Sequence, residues 1–243
     1  MVFQTVRAAD FIVESFNKES FLINAEDGHD IPVILTKNSN RHLLIMSHGI
    51  TAEKTETGIY LDFSKNIFEN FDSLMFDFRG HGDSPMSFST VSIEGEVLDL
   101  KAILDWSQNQ NYQTISYLGS SFGASIVLLI SSSYDLTFFS SAVFWNPVID
   151  YKMLSSEVKK ELSPKMIQEI TRLNPQDSQW PNIPLLIVHG TNDIVVPIEQ
   201  SKTYVEKNQP YARLFPVDNV DHGFDHKIKE VMSVTNDWLL HYI

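Results

Sequence analysis

The 243 residues predict an α/β fold: a mostly parallel central sheet with helices on both faces and an antiparallel hairpin on its N-terminal edge. Two observations carry this. Short apolar runs alternate with segments of helical apolar spacing along nearly the whole chain, the pattern of strands joined by crossover helices. The first two runs are instead joined by a short polar turn, which suits an antiparallel pair.

In order, residues 21–25 and 31–36 flank the turn Glu26-Asp27-Gly28-His29-Asp30 and form the hairpin. Pro32 has no N–H for a ladder, so an edge position suits it. Residues 42–46 are a buried strand ending in Ser47-His48-Gly49-Ile50, and residues 57–71 have helical spacing through Ile59, Tyr60, Phe63, Ile67 and Phe71. The next strand, 73–78, runs into Arg79-Gly80-His81-Gly82-Asp83-Ser84, and 92–106 is helical. Residues 114–133 read as a strand, a hard turn and a buried helix. Strands follow at 141–148, 184–188 and 212–217, with helices at 198–207 and from His222 to about Tyr242. The alternation breaks once, at about 150–183. This long connection contains a charged helical piece interrupted at Pro164, and it is expected to be a small cap inserted into a single domain spanning 1–243.

Composition narrows the function. Hydrophobic residues at 43% and charged residues at 20% are ordinary for a globular chain. A formal net charge of −13 with no basic stretch argues against nucleic acid or an anionic membrane as partner. The absence of cysteine removes disulfides, thiolate metal sites and a cysteine nucleophile. Asp10 and Glu14 interrupt what a signal peptide would need as an apolar run, and the apolar stretch near 126–130 is too short to span a bilayer. A cytoplasmic protein is expected.

Gly119-Ser120-Ser121-Phe122-Gly123 fits G-x-S-x-G, and only Ser121 has a glycine two residues to either side. A serine on such a turn sits in strained backbone at the C-terminal edge of the sheet, where ligands of open parallel sheets gather. Its hydroxyl needs a base, and a histidine base needs a carboxylate to hold its tautomer. Asp193 and His222 each follow a predicted strand and complete the order Ser, Asp, His. Asp150 is the alternative acid and His226 the alternative base. His222 and His226 also have i, i+4 spacing, but no H-E-x-x-H glutamate accompanies them, so neither a metal nor another cofactor is expected. The N–H groups of Ile50 and Phe122 are the candidate oxyanion donors. His48, His81, Arg79 and Asp83 read as loop-fixing groups, while Trp145, Met153 and Trp180 line the pocket or miss it according to packing.

SHGITAEK, FDFRGHGDS, GSSFG, HGTNDIVVP and DHGF, in that order, resemble the serine α/β-hydrolase superfamily from about Phe21 to the C-terminus. Within it they are most similar to cinnamoyl or feruloyl esterase-like carboxylesterases. The elbow differs from the commoner GHSxGG by carrying Ser120 and Ala124. The resemblance implies the α/β-hydrolase fold and a triad of nucleophile Ser121, acid Asp193 and base His222, with oxyanion donors Ile50 and Phe122. It implies a cofactor-free hydrolysis of small or medium acyl esters. Thioesterase, monoacylglycerol lipase and serine peptidase activities use the same triad, and a binding protein without catalysis is the alternative of another class.

Overall fold

A computed structural model describes residues 17–243; the signal-peptide reading of Asp10 and Glu14 lies outside them. The sheet has eight strands in the order β1-β2-β4-β3-β5-β6-β7-β8. They are β1 (Lys18–Asn24), β2 (Asp30–Thr36), β3 (His42–Ser47), β4 (Asp72–Phe76), β5 (Thr114–Ser120), β6 (Phe139–Trp145), β7 (Leu185–Gly190) and β8 (Ala212–Val217). β2 pairs antiparallel with both β1 and β4, and every later pairing is parallel. The expected hairpin therefore forms the edge, but Pro32 sits on its inner strand. The Asp77 N–H donates to the Pro32 carbonyl at 2.9 Å, and the β2–β4 ladder proper begins one residue on, at Val33 opposite Phe76. The proline's missing N–H thus falls where β4 has already left the sheet.

Both faces are covered. Helix α1 (Ile59–Ile67) and the C-terminal helix α7 (Ile228–His241) pack on one face through Phe63, Ile67, Val231 and Leu239, against Leu44, Met46, Leu118 and Val188. Helices α2 (Ile93–Gln108), α3 (Phe122–Ile130) and α6 (Glu199–Lys207) pack on the other, where Ile103, Ile126 and Tyr204 meet Leu43, Ile45, Tyr117 and Ile187. Alternate residues of one strand serve the two layers, so β3 and β5 are apolar throughout. Each fully buried side chain of this size contributes about 1.5–3 kcal/mol. Ser92 caps α2 by accepting the Gly95 N–H at 3.1 Å.

Between β6 and β7 the chain forms two short helices, α4 (Ser156–Lys160) and α5 (Pro164–Glu169). Pro164 divides them because a proline fits the first turn of a helix, and Ser163 caps that turn through the Met166 N–H at 3.1 Å. This connection is bonded to the start of α2. The Ser163 hydroxyl donates to the Val91 carbonyl at 2.5 Å, and the Ile93 N–H donates to Glu169 Oε2 at 2.5 Å.

The chain steps from β3 outward to β4 and then back across β3 to β5. That reversal leaves a crevice at the C-terminal ends of β3 and β5, because the loops that follow depart in opposite directions. His48 and Ser121 stand at those two ends.

Candidate active site

The turn after β5 is built from its glycines. A Cβ on Gly119 would lie 2.9 Å from the Ala124 backbone, and one on Gly123 2.6 Å from the His48 carbonyl oxygen and from Ser47 Oγ. Only glycine lets α3 start this close to β5 and β3. Ser121 pays for the turn with φ 48° and ψ −111°, a region that side chains rarely adopt. The end of β6 holds it there: the Ser121 N–H donates to Trp145 O at 2.8 Å, and the Val148 N–H donates to Ser121 O at 3.1 Å.

The loops after β7 and β8 bring the other two residues to it. His222 Nε2 lies 3.0 Å from Ser121 Oγ, and His222 Nδ1 lies 2.7 Å from Asp193 Oδ2. The carboxylate only accepts, so Nδ1 carries its proton toward Asp193 and Nε2 faces the serine hydroxyl. Asp193 Oδ1 accepts the Val195 and Val196 N–H groups at 2.9 and 2.8 Å, and His189 Nε2 stands 3.3 Å from Oδ2. Burial pushes the Asp193 carboxyl up, but His189, His222 and the Val196 N–H outweigh it and bring it down to about 2. Asp193 therefore remains a carboxylate at neutral pH.

The loop after β3 faces Ser121 from the other side. His48 is buried; its Nε2 accepts the Phe78 N–H at 3.0 Å, so Nδ1 carries the proton and donates to Gly49 O at 2.7 Å. Burial, with His81 and Lys54 nearby, lowers His48 to about 3 and keeps it neutral. His81 Nε2 donates to Ile50 O at 2.7 Å. Lys54 Nζ bridges Asp77 Oδ2 at 2.6 Å and Asp83 Oδ2 at 2.7 Å, and Arg79 binds Asp99 and Asp27, each at 2.7 Å. These histidines and charges fix loops, as the sequence suggested. Among the described residues, no hydrogen bond engages the Ile50 or Phe122 N–H.

The alternatives lie elsewhere. Asp150 accepts the Lys152 N–H and the Asn174 amide at 3.0 Å each. His226 is exposed in a one-turn 3-10 segment, Asp225–Lys227, because α7 begins at Ile228 and not at His222. Trp145 is committed to the core through Thr235 Oγ1 at 2.9 Å, Trp180 stands edge-on to Phe144, and Met153 is exposed. Among the described residues, no group of three or more His, Asp or Glu side chains is arranged to hold a metal ion.

Sequence reasoning missed two contributors. Asn146, just past β6, donates to His222 O at 2.6 Å and accepts the Gly190 N–H at 2.9 Å, tying the histidine's loop to the end of β7. The strand predicted over 141–148 covers Asn146; β6 ends at Trp145, which puts Asn146 directly after it, as Asp193 and His222 follow theirs. The other is Glu56, whose Oε2 accepts the Gly49 N–H at 2.9 Å. Nothing in TAEKTETG distinguishes it from its charged neighbours.

A parallel sheet of this order, with a serine on the tight turn after β5, defines a serine α/β-hydrolase. The chain matches the family described as serine aminopeptidase, S33, over residues 38–176, more than half its length, and belongs to that family. The matched span includes Ser121 and ends before Asp193 and His222. In sequence it is 27% identical over 189 residues to the uncharacterized protein RP471 of Rickettsia prowazekii, covering 75% of this chain and 70% of that one. It is 28% identical over 165 residues to the uncharacterized protein YfhR of Salmonella typhimurium, and spans only 55% of its length. Among solved structures, Est1E of Butyrivibrio proteoclasticus with ferulic acid bound superposes with a TM-score of 0.79 at 20% identity, covering 91% of this chain and 98% of that one. The Pyrococcus furiosus esterase Pf2001 gives 0.76 at 23% identity, covering 94% and 92%. At such identities the likeness is one of fold.

Proposed function

We propose that this protein is a serine carboxylesterase acting on small to medium acyl esters through Ser121, His222 and Asp193. The observation that carries the reading is His222 bridging the Ser121 hydroxyl and the Asp193 carboxylate, with Ser121 held on strained backbone at the crevice. The attacking Ser121 Oγ gives its proton to His222 Nε2 as the Oγ–carbonyl bond forms. Asp193 stabilises the resulting imidazolium. The N–H groups of Ile50 and Phe122 receive the oxyanion; such a donor is worth about 3–4 kcal/mol of transition-state stabilisation. Collapse breaks the ester bond as His222 protonates the departing alcohol, leaving an acyl-Ser121. Water then gives its proton to His222, attacks the acyl carbon, and releases the acid as the proton returns to Ser121.

An ester substrate is favoured by the two esterases that share the fold, and the segment 150–183 is its cap. A cytoplasmic setting fits a chain without cysteine. The family description keeps a peptide or aminoacyl substrate as the second reading. The test is hydrolysis of p-nitrophenyl acetate and butyrate beside thioester and aminoacyl-arylamide substrates. The esters are expected to turn over fastest, and Ser121→Ala to abolish turnover without loss of fold. Ester activity surviving that substitution overturns the triad; preference for the arylamide overturns the ester.

A further inference from the structure

The triad leaves one ionisable group of the crevice unused. Glu56 is half-buried in the loop between β3 and α1, and its carboxylate lies against the His48–Gly49 peptide, one residue before the Ile50 N–H. Oε2 accepts the Gly49 N–H at 2.9 Å. Oε1 lies 3.7 Å from the point a Gly49 Cβ would occupy, and Ser121 Oγ lies 3.8 Å from that same point. The carboxylate and the serine hydroxyl therefore flank one glycine. Glu53, the Ser120 hydroxyl, His222 and Tyr60 are further polar groups that act on or face Glu56.

The backbone is distorted to deliver it. Glu56, Thr57 and Gly58 are three consecutive residues in left-handed conformation, with φ of 48°, 55° and 95°. Two of them carry side chains, and such strain persists only where the surroundings over-determine it. They do so here. Glu53 folds back over the loop, accepting the Thr55 N–H at 2.9 Å, the Thr57 N–H at 3.2 Å and the Thr55 hydroxyl. The Glu56 N–H donates to Glu53 O at 2.7 Å.

Among the described residues, no lysine or arginine pairs with Glu56; the nearby Lys54 is committed to Asp77 and Asp83. In the resting site the carboxylate has one backbone N–H and a hydroxyl for company. Beyond Ser121, which it flanks across Gly49, stands His222, with Nε2 3.0 Å from Ser121 Oγ, and this ring becomes an imidazolium when Ser121 gives up its proton. A charge that gains its partner only during the reaction favours the transition state over the ground state.

Resting on the triad reading above, we propose that Glu56 is a positioning residue of the acyl-transfer site: its carboxylate fixes the Gly49–Ile50 loop and supplies a second counter-charge to the His222 imidazolium. Burial raises the Glu56 carboxyl to about 7 and Glu53 adds to this, against the Gly49 N–H, His222 and the Ser120 hydroxyl, which lower it. Tyr60 also faces it, and its phenol is held neutral by burial and by Glu56 itself. Glu56 thus passes from neutral to charged as pH rises through neutrality, and the active form is the charged one.

The test is the rate at which a fluorophosphonate labels Ser121 across pH in the wild type, Glu56→Gln and Glu56→Ala. Labelling needs the nucleophile, base and oxyanion loop, but no ester turnover. In Glu56→Gln the amide oxygen still accepts the Gly49 N–H, so the folded protein keeps its loop and loses only the charge. At about pH 8 its labelling rate is expected to be roughly tenfold lower, the size of one half-buried charge interaction. Its labelling rate is expected to rise less steeply with pH through neutrality than that of the wild type, because the Glu56 ionisation is gone. Glu56→Ala, which removes the acceptor too, is expected to be slower still. A Glu56→Gln rate and pH profile equal to or above wild type overturns the proposal while leaving the esterase reading intact. Glu56-dependent labelling without hydrolysis of any ester upholds the proposal and overturns the substrate class. Failure of wild-type Ser121 to label overturns both.

Discussion

Two carboxyl groups serve the surroundings of Ser121, Asp193 through His222 and Glu56 through Gly49, and the protein treats them in opposite ways. Asp193, in the loop after β7, has two backbone N–H groups on one oxygen and two imidazoles at the other, and is drawn down to about 2 against the push of burial. Glu56, in the loop after β3, is pushed up to about 7 by burial and a neighbouring glutamate, against one backbone N–H and, among the described residues, no lysine or arginine. Burial pushes both carboxyls up; the donors outweigh it at Asp193 and not at Glu56. One flank holds a permanent anion, and the other holds an acid that changes charge near neutrality.

The Asp193 flank gives the largest expected effect. Asp193→Asn removes the acceptor that fixes the His222 tautomer, and kcat is expected to fall by about 10⁴, with KM little changed, in a steady-state ester assay. Because Asp193 lies at about 2, it remains ionised across any practical assay range and takes no part in the pH dependence near neutrality, where Glu56 changes charge. The Glu56→Gln change comes next, at the tenfold scale described above.

Asn146→Ala tests the support behind the His222 loop. It leaves the buried Gly190 N–H without its acceptor and frees the His222 carbonyl. A loss of about 1–3 kcal/mol in denaturant unfolding is expected, with kcat falling further than the stability loss alone explains. The smallest effect separates the two carboxyls by stability. Glu56 has a raised folded-state value, so the folded protein binds the extra proton and loses stability as pH rises from its ordinary 4.5 to about 7. Asp193 has the opposite sign: its contribution is complete above its ordinary 3.8 and is lost as pH falls toward about 2. Glu56→Gln is therefore expected to melt above wild type by about 2–4 °C near pH 8, the shift that about 1 kcal/mol produces in a chain of this size. The gap should close near pH 4.5. A substitution that slows the chemistry while stabilising the fold is the mark of a strained functional site.

The same contrast explains what the sequence disclosed. Ser121, Asp193 and His222 are chemistry-bearing residues placed directly after apolar runs, and strand ends are where an open sheet gathers its site. Gly119 and Gly123 were legible because a tight turn admits no Cβ there. Glu56 was hidden because TAEKTETG offers two glutamates of equal appearance. Only the left-handed backbone at Glu56 and Thr57, which no local propensity favours, turns one toward Gly49 while Glu53 folds onto its own loop. The place of Pro32 was hidden for a similar reason: its missing N–H is harmless on an outer strand or at the end of an inner ladder, and the chain took the second course. His222 was read as opening the last helix because the apolar period of α7 carries no sharp start; Phe224, at φ 58°, breaks it.

Everything proposed for the crevice turns on Ser121, and not its neighbour Ser120, attacking the acyl carbon. Fragment mass spectrometry of the wild-type protein after fluorophosphonate treatment tests it most directly. The adduct is expected on Ser121 alone, with none formed in Ser121→Ala and full labelling kept in Ser120→Ala. An adduct on Ser120, or labelling that survives Ser121→Ala, takes the nucleophile's role from Ser121.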